Sequence, residues 1–116
     1  MNRARLPDVA VRAYTSAMLM IAGTVRFPLD MIRDARAAIK RMIEATRTED
    51  GCVRYAFAED VLEPGLFHIF ELWRDQAALD RHGASAHMDI WRKAAREHGL
   101  HDRNLRTYDV DDGRPR

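Results

Sequence analysis

Residues 52–74, CVRYAFAEDVLEPGLFHIFELWR, contain two apolar runs joined by a turn. In the first run, residues 52–61, apolar side chains alternate with others, as in a half-buried strand. Pro64 and Gly65 suit the central positions of a type II turn, so residues 66–74 should return antiparallel to the first run. This predicted hairpin is the centre from which the rest of the fold is worked out.

Upstream of the hairpin, the chain predicts a strand and then a helix. Residues 18–27, MLMIAGTVRF, are apolar at nearly every position and stop at Pro28, which favours a strand buried on both faces. In residues 30–48, apolar side chains recur at spacings of three and four, which is typical of an amphipathic helix. We expect Asp30 to cap its start and Gly51 to follow its end.

Downstream of the hairpin, the chain predicts short helical segments and a last strand. Asp75 is suited to cap a short helix, QAALDRH, which Gly83 interrupts. Ser85 is suited to cap a second helical segment, which runs to His98. Residues 103–110, RNLRTYDV, are the last strand. The order β-α-β-β-α-β predicts an α+β fold of the ferredoxin-like split βαβ type, with an antiparallel sheet and both helices on one face.

Length and composition fit one small domain. The 116 residues are 47% hydrophobic and carry a net charge of +1, so no overall field attracts nucleic acid or an anionic membrane. The single cysteine allows no intrachain disulfide, and no apolar run is long enough to span a membrane. We expect a cytoplasmic protein with an N-terminal arm (1–17), one domain (18–110) and a C-terminal tail (111–116).

Both faces of the central strands are apolar, which does not fit a monomer in water. Ile21 and Val25 on the first strand, and Phe70 and Leu72 on the third, are expected to lie in the contact between two sheets. Closed symmetry is the commonest way to cover such a face. The sequence therefore predicts a homodimer in which two sheets pack face to face.

Two stretches resemble a known family. They are EDGCVRY at residues 49–55 and the pattern E-x-W-x(5)-L-x-x-H-x-x-S-x-H at residues 71–87. Together they look like the antibiotic biosynthesis monooxygenase family, which includes quinol monooxygenases, and the likeness extends over about residues 18–108. It implies a ferredoxin-like protomer, a dimeric α/β barrel and, often, oxidation of a quinol or polycyclic phenol by O₂ without metal, flavin or haem.

The catalytic candidates are Trp73, His82 and His87. The two histidines flank the Gly83 break and can project into one mouth, where a neutral imidazole can take a phenolic proton. Trp73 can offer its indole N–H to a substrate oxygen and its ring as a flat wall. The alternatives are that Trp73 is core and that a histidine joins the capping arrangement around Ser85. We expect Trp73 and His87 to share a pocket, with His82 at its rim.

A further set of side chains is predicted to contact the substrate. The alternation of side chains along the first strand and the comparison with the family both place Thr24 near the floor of the pocket, beside Trp73. For Glu71 the alternative is an ion pair with an arginine at the rim, and for the aromatic residues it is simple core packing. The predicted substrate-binding residues are Thr24, Tyr55, Phe57, Phe67, Glu71 and Trp91.

No cofactor is predicted. His98, His101 and Asp102 lie close in sequence, but no cysteine or second H-x-x-H pattern supports a zinc site there, and no dinucleotide fingerprint occurs. The haem-degrading branch of the family shares the position of Trp73. It carries an asparagine where this chain has Thr24, and a histidine ligand where Arg92 falls.

The sequence thus predicts an enzyme: a cofactor-independent monooxygenase that oxidises a small quinol or polyphenolic aromatic compound with O₂. Two alternatives stay open. The first is a non-catalytic dimeric barrel that binds a small apolar metabolite, since fold alone does not decide activity. The second is a haem-degrading monooxygenase.

Overall fold

The computed structural model describes residues 17–116. A short 3₁₀ turn, Leu29–Met31, leads from the first strand into the first helix. The N-terminal arm predicted for residues 1–17 lies outside the described residues except for Ala17, and residues 111–116 are exposed and without regular structure. The elements are β1 (Met18–Arg26), α1 (Ile32–Thr46), β2 (Cys52–Glu59), β3 (Leu66–Trp73), α2 (Gln76–Gly83), α3 (Ala86–Glu97) and β4 (His101–Val110).

The four strands form one antiparallel sheet in the order β2-β3-β1-β4. This arrangement confirms the predicted ferredoxin-like fold. The second helix of the β-α-β-β-α-β order is divided into α2 and α3. The connection between β2 and β3 is the predicted hairpin. Gly65 adopts a φ of +85° there, and the amide of Leu66 donates to the carbonyl of Glu63, as in a type II turn.

The ends of several elements differ from the predictions. Asp75 caps α2 as expected, since its carboxylate accepts from the amide of Ala78 at 2.9 Å. Asp30 does not cap α1, because it lies inside the 3₁₀ turn that precedes Ile32. In addition, β4 starts at His101 rather than at residue 103 and β2 ends two residues early.

One face of the sheet packs against the helices and holds the core. In the β1–β3 pairing, Leu19 lies opposite Trp73, Ile21 opposite Glu71 and Val25 opposite Phe67. Paired residues point to the same face of a sheet, so all six lie on the side of the helices; Ile21 is half-buried there and the other five are buried. The placement of Ile21 and Val25 on the sheet–sheet contact is therefore wrong.

Within residues 17–116, no helix packs on the other face of the sheet. Its centre consists of half-buried residues that the register places together, Met20 opposite Leu72 and Ala22 opposite Phe70. We call these four residues and Tyr108, which pairs with Met20, the open sheet face. Phe70 and Leu72 lie on this side, away from the helices, and their contact with a second sheet stays a prediction.

Candidate active site

One carboxylate oxygen joins the two predicted histidines. Oε2 of Glu49 lies 2.8 Å from Nδ1 of His82 and 2.7 Å from Nε2 of His87. An ionised carboxylate only accepts hydrogen bonds, so each neutral imidazole donates to it. The ring lone pairs that remain are on Nε2 of His82 and Nδ1 of His87. We call these three side chains the carboxylate–histidine cluster.

A glycine brings Glu49 to the histidines. Gly51 has a φ of +87°, and a Cβ atom there would lie 2.5 Å from the Cβ of Ala78 in α2. The carbonyl of Gly51 also accepts a 2.9 Å bond from the amide of Arg74. Because only glycine allows this close approach, the turn after α1 can lie directly on α2 and place Glu49 beside His82.

Ser85 connects the two helices that carry the histidines. It occupies the N-cap position of α3, as predicted, but its hydroxyl makes no capping bond to an amide. The hydroxyl donates instead to the carbonyl of His82 at 2.7 Å, and it lies 3.4 Å from Nε2 of His87. Ser85 therefore fixes the bend between α2 and α3, and with it the spacing of the two imidazoles.

The two histidines differ in burial. His82 is 4% exposed, and its ring centroid lies 4.6 Å from that of Trp73 and 5.3 Å from that of Tyr55. The side chain of His87 is 25% exposed. Burial lowers the pKa of His82, and the hydrogen bond that His82 donates to Glu49 opposes this only in part. His87 is therefore at the rim and His82 inside, the reverse of the expected order.

Trp73 is fully buried and its N–H is already used. Nε1 donates to Oε1 of Glu71 at 2.9 Å. Glu71 is 6% exposed, so neither residue lies at a rim, and the predicted alternative of an ion pair with an arginine at the rim does not describe it. Burial raises the pKa of Glu71, while the bond from Trp73 lowers it. This geometry leaves the indole N–H with a protein acceptor rather than a substrate.

Thr24 lies on the wrong face of the sheet for the predicted pocket. It pairs with His68, whereas Trp73 pairs with Leu19 on the side of the helices. Side chains alternate along a strand, so Thr24 points to the side of the open sheet face. Arg92, the other position that matters for haem, donates to the carbonyl of Gly83 at 2.7 Å. This arrangement gives no support to the haem-degrading alternative.

A cleft lies between α1 and α3, beside the carboxylate–histidine cluster. Its volume is about 250 Å³, slightly below that of typical drug-sized pockets, and its walls are mainly apolar. The residues that line it are Ala38, Arg41, Met42, His87, Ile90, Trp91 and Ala94. The predicted residues His87 and Trp91 are thus brought together here, and we call this space the interhelical cleft.

The other predicted aromatic residues lie behind the cleft. The Phe57 ring stands edge-on to Trp91 at 5.9 Å and lies 6.0 Å from Tyr55. Phe67 reaches Trp91 through Phe27, with centroid distances of 5.8 and 6.3 Å. Burial raises the pKa of the Tyr55 phenol, which keeps it protonated. These rings are part of the core, and direct contact with a substrate stays a prediction for them.

Sequence reasoning missed Glu49 as a site residue. It lies 33 residues before His82, and no local spacing pattern connects them. The signal available was its place at the start of the EDGCVRY stretch, next to the glycine that the turn requires. The α1 wall of the interhelical cleft, with Ala38 and Met42, was missed as well, because its apolar positions have the spacing of ordinary core.

A sequence model described as antibiotic biosynthesis monooxygenase matches residues 18–94. The chain belongs to this family. The match runs from β1 into α3 and includes all three members of the carboxylate–histidine cluster, together with the α1 and α3 walls of the cleft.

Two other proteins share stretches of this sequence. "Putative monooxygenase Rv0793" of Mycobacterium tuberculosis is 40% identical over 77 residues, which are 63% of this chain and 70% of that protein. "Uncharacterized protein sll1783" of a Synechocystis strain is 39% identical over 64 residues, 55% of this chain but 44% of that protein. The chain thus spans less than half the length of the Synechocystis relative.

Solved structures of the family share the fold. The Rv0793 structure superposes with a TM-score of 0.68 at 30% identity, covering 86% of this chain and 98% of that one. A structure from Deinococcus radiodurans, titled as a putative antibiotic biosynthesis monooxygenase, gives 0.77 at 24% identity over 84% and 96% of the two chains. At that identity the second likeness concerns the fold alone. No helix within residues 17–116 has the length and apolar character that crossing a bilayer requires.

Proposed function

We propose that this protein is a cofactor-independent monooxygenase that oxidises a small quinol or polyphenol with O₂. The observation that carries the proposal is the position of His87. Its imidazole lines the interhelical cleft and is held at 2.7 Å by the Glu49 carboxylate. A base at the mouth of a small apolar space is what deprotonation of a phenolic ring requires.

The residues of this chain have separate tasks in the proposed reaction. Trp91 and Met42 hold the ring of the substrate, and Nδ1 of His87 takes its phenolic proton. The Glu49 carboxylate stabilises the imidazolium that forms, because it already accepts the opposite N–H. The apolar walls keep water away from the electron-rich anion, which reacts with O₂.

The substrate itself supplies all the electrons in this scheme. A quinol and O₂ give a hydroxyquinone and water: one oxygen atom enters the ring, the other leaves as water, and no external reductant is consumed. The protein therefore needs to provide only a base, a small cavity and electrostatic stabilisation.

Oxygen uptake tests the proposal directly. Chelator-treated protein is given a panel of menadiol-like quinols, and the rate is corrected for autoxidation in buffer. We expect uptake above the buffer rate and one ¹⁸O atom in the product when ¹⁸O₂ is supplied. Rates equal to buffer across the panel would remove the proposal.

A non-catalytic binding protein is the second candidate, and the Trp73–Glu71 bond favours it. That bond occupies the indole donor expected to stabilise an oxygen-derived anion. A binding protein would retain an apolar ligand in the interhelical cleft without consuming O₂. The same oxygen-uptake assay, combined with mass spectrometry of ligands released on denaturation, separates the two candidates.

We also propose that a second copy of the chain covers the open sheet face. Apolar Met20, Phe70 and Leu72 stand there beside Tyr108, which is 44% exposed in the single chain. Two copies packed by this face bury the same patch twice, as two-fold symmetry requires. The proposed functional unit is thus a homodimer with one interhelical cleft in each protomer.

A further inference from the structure

The carboxylate–histidine cluster brings together donor atoms that favour a metal ion. One donor atom from each of Glu49, His82 and His87 lies within 4.8 Å of the other two. The three side chains come from the turn after α1, from α2 and from α3, so the fold holds them from three directions. Two imidazole nitrogens and one carboxylate oxygen form a set that zinc enzymes use to hold Zn²⁺ with one position open.

The separations are close to those of a coordinated ion. Zn–N and Zn–O bonds of about 2.0–2.2 Å set the donors of a tetrahedral site roughly 3.3–3.5 Å apart. The two nitrogen–oxygen distances are 2.8 and 2.7 Å, and the three residues offer donor atoms within 4.8 Å of one another. Small side-chain rotations that lengthen the two nitrogen–oxygen distances produce the site.

We propose that Glu49, His82 and His87 bind one divalent transition-metal ion of the Zn²⁺ class. Imidazole nitrogens favour such ions over Mg²⁺ and Ca²⁺, which prefer oxygen ligands only. The partly exposed His87 leaves a path to solvent, and the fourth position stays available for water. Sequence analysis predicted no metal site, because ligands at positions 49, 82 and 87 form no spacing motif.

Metal binding has a consequence for the proposed reaction, and this consequence rests on the proposed function. A neutral imidazole that coordinates through Nε2 carries its proton on Nδ1. The lone pair that His87 offers to a substrate in the free cluster is then lost, and Glu49 no longer supports the base. The ion therefore acts as an inhibitor of the quinol oxidation and not as its cofactor.

The test uses the full chain without an affinity tag, after treatment with a chelator. Calorimetric titration with ZnCl₂ should give one ion per chain, and MgCl₂ under the same conditions should give no comparable binding. Binding should weaken as the pH falls, since protons compete with the metal ion for the imidazole nitrogens. Co²⁺ should give the strong visible absorption of a four-coordinate site.

Variants decide whether the cluster is the site. Glu49→Gln and His87→Ala should each weaken Zn²⁺ binding at least about tenfold. Residues that only hydrogen-bond to a metal ligand typically cost this much when they are changed, and a ligand should cost no less. His101→Ala is the matched control, because His101 is an exposed histidine outside the cluster and should leave binding unchanged. Circular dichroism confirms that each variant is folded before titration.

Three results would overturn the metal site. They are an absence of Zn²⁺ binding, equal affinity for Zn²⁺ and Mg²⁺, or Zn²⁺ binding unaffected by both Glu49→Gln and His87→Ala. All three are measured without substrate. A protein that binds Zn²⁺ but never consumes O₂ therefore contradicts the proposed function and leaves the site standing, and an active protein that binds no Zn²⁺ does the reverse.

Discussion

The indole N–H of Trp73 donates a 2.9 Å hydrogen bond to Oε1 of Glu71, two residues earlier on the same strand. Both side chains point to the helix side of β3 and both are buried, Trp73 completely. The bond explains how a carboxyl group is accommodated in the core, since a buried acceptor without a donor is costly. The bond gives the indole N–H a protein acceptor, and contact between Trp73 and a substrate stays a prediction.

Trp73→Phe should therefore destabilise the protein through Glu71. Leaving the buried acceptor unpaired costs about 1–3 kcal/mol, and the lost ring volume adds to this. Urea unfolding at pH 7 measures the change in the free energy of unfolding. In a Glu71→Leu background the same substitution should cost less, because no carboxyl group is left without its donor. Equal costs in both backgrounds would argue against the bond.

Glu71→Gln should make the protein more stable than the native chain as the pH rises. Burial raises the pKa of Glu71 above its usual 4.5 in the folded state. Its favourable contribution is therefore present below pH 4.5 and is lost as the pH rises through the folded value. Glutamine still accepts from Trp73 but does not ionise. The difference in unfolding free energy between the two proteins should grow from pH 4 to pH 8, and a constant difference contradicts this account.

His82 should make the protein sensitive to mild acid. Burial lowers its pKa below the usual 6.5, so the stability that neutral His82 provides is present above pH 6.5 and is lost as the pH falls through the folded value. His82→Asn keeps an amide donor for Glu49 but does not titrate. The urea midpoint of this variant should therefore change less between pH 7 and pH 5 than that of the native protein. His68→Asn, which changes an exposed histidine on β3, is the control. Its urea midpoint should depend on pH more like that of the native protein than the midpoint of His82→Asn does.

The fold was predictable because its decisive signals are local. Alternation in residues 52–74 and the Pro64–Gly65 turn fix the hairpin, and the helical spacing of residues 30–48 fixes α1. In β1, by contrast, nearly every residue is apolar, so alternation cannot show which face meets the helices. Only the pairing with β3 decides that, and for this reason Val25 and Thr24 were placed on the wrong faces.

The candidate site was predictable in part for the same reason. His82 and His87 are five residues apart across a helix break, a distance over which sequence predicts proximity well. Glu49 contacts them through tertiary packing, because Gly51 lets the turn after α1 lie against α2. A contact formed by tertiary packing between distant segments leaves no spacing pattern to read.

Phe70→Asp should produce a folded monomer. Phe70 lies on the open sheet face opposite Ala22 and Ala56, where we place the partner copy. A carboxylate there would be buried and unpaired in the dimer but can remain solvated in the monomer, so it opposes association more than folding. Light scattering should report about 13.4 kDa for the variant and twice that for the native chain. Ile90→Asp, on the opposite side of the molecule, should remain dimeric.

His87→Ala should lower turnover of the active quinol by roughly 10²–10⁴-fold, the usual contribution of a general base. If His87 is the base, kcat/KM of the native protein should rise with pH as the base loses its proton, and the variant should lose that limb. Glu49→Gln removes the charge that stabilises the imidazolium and keeps the shape of the side chain, so it should lower kcat more than it changes KM. His101→Ala controls for loss of a histidine elsewhere and should retain the native rate and pH profile. Full activity in His87→Ala with the limb unchanged would transfer the role to His82, and full activity in the double variant would mean that neither imidazole moves the proton.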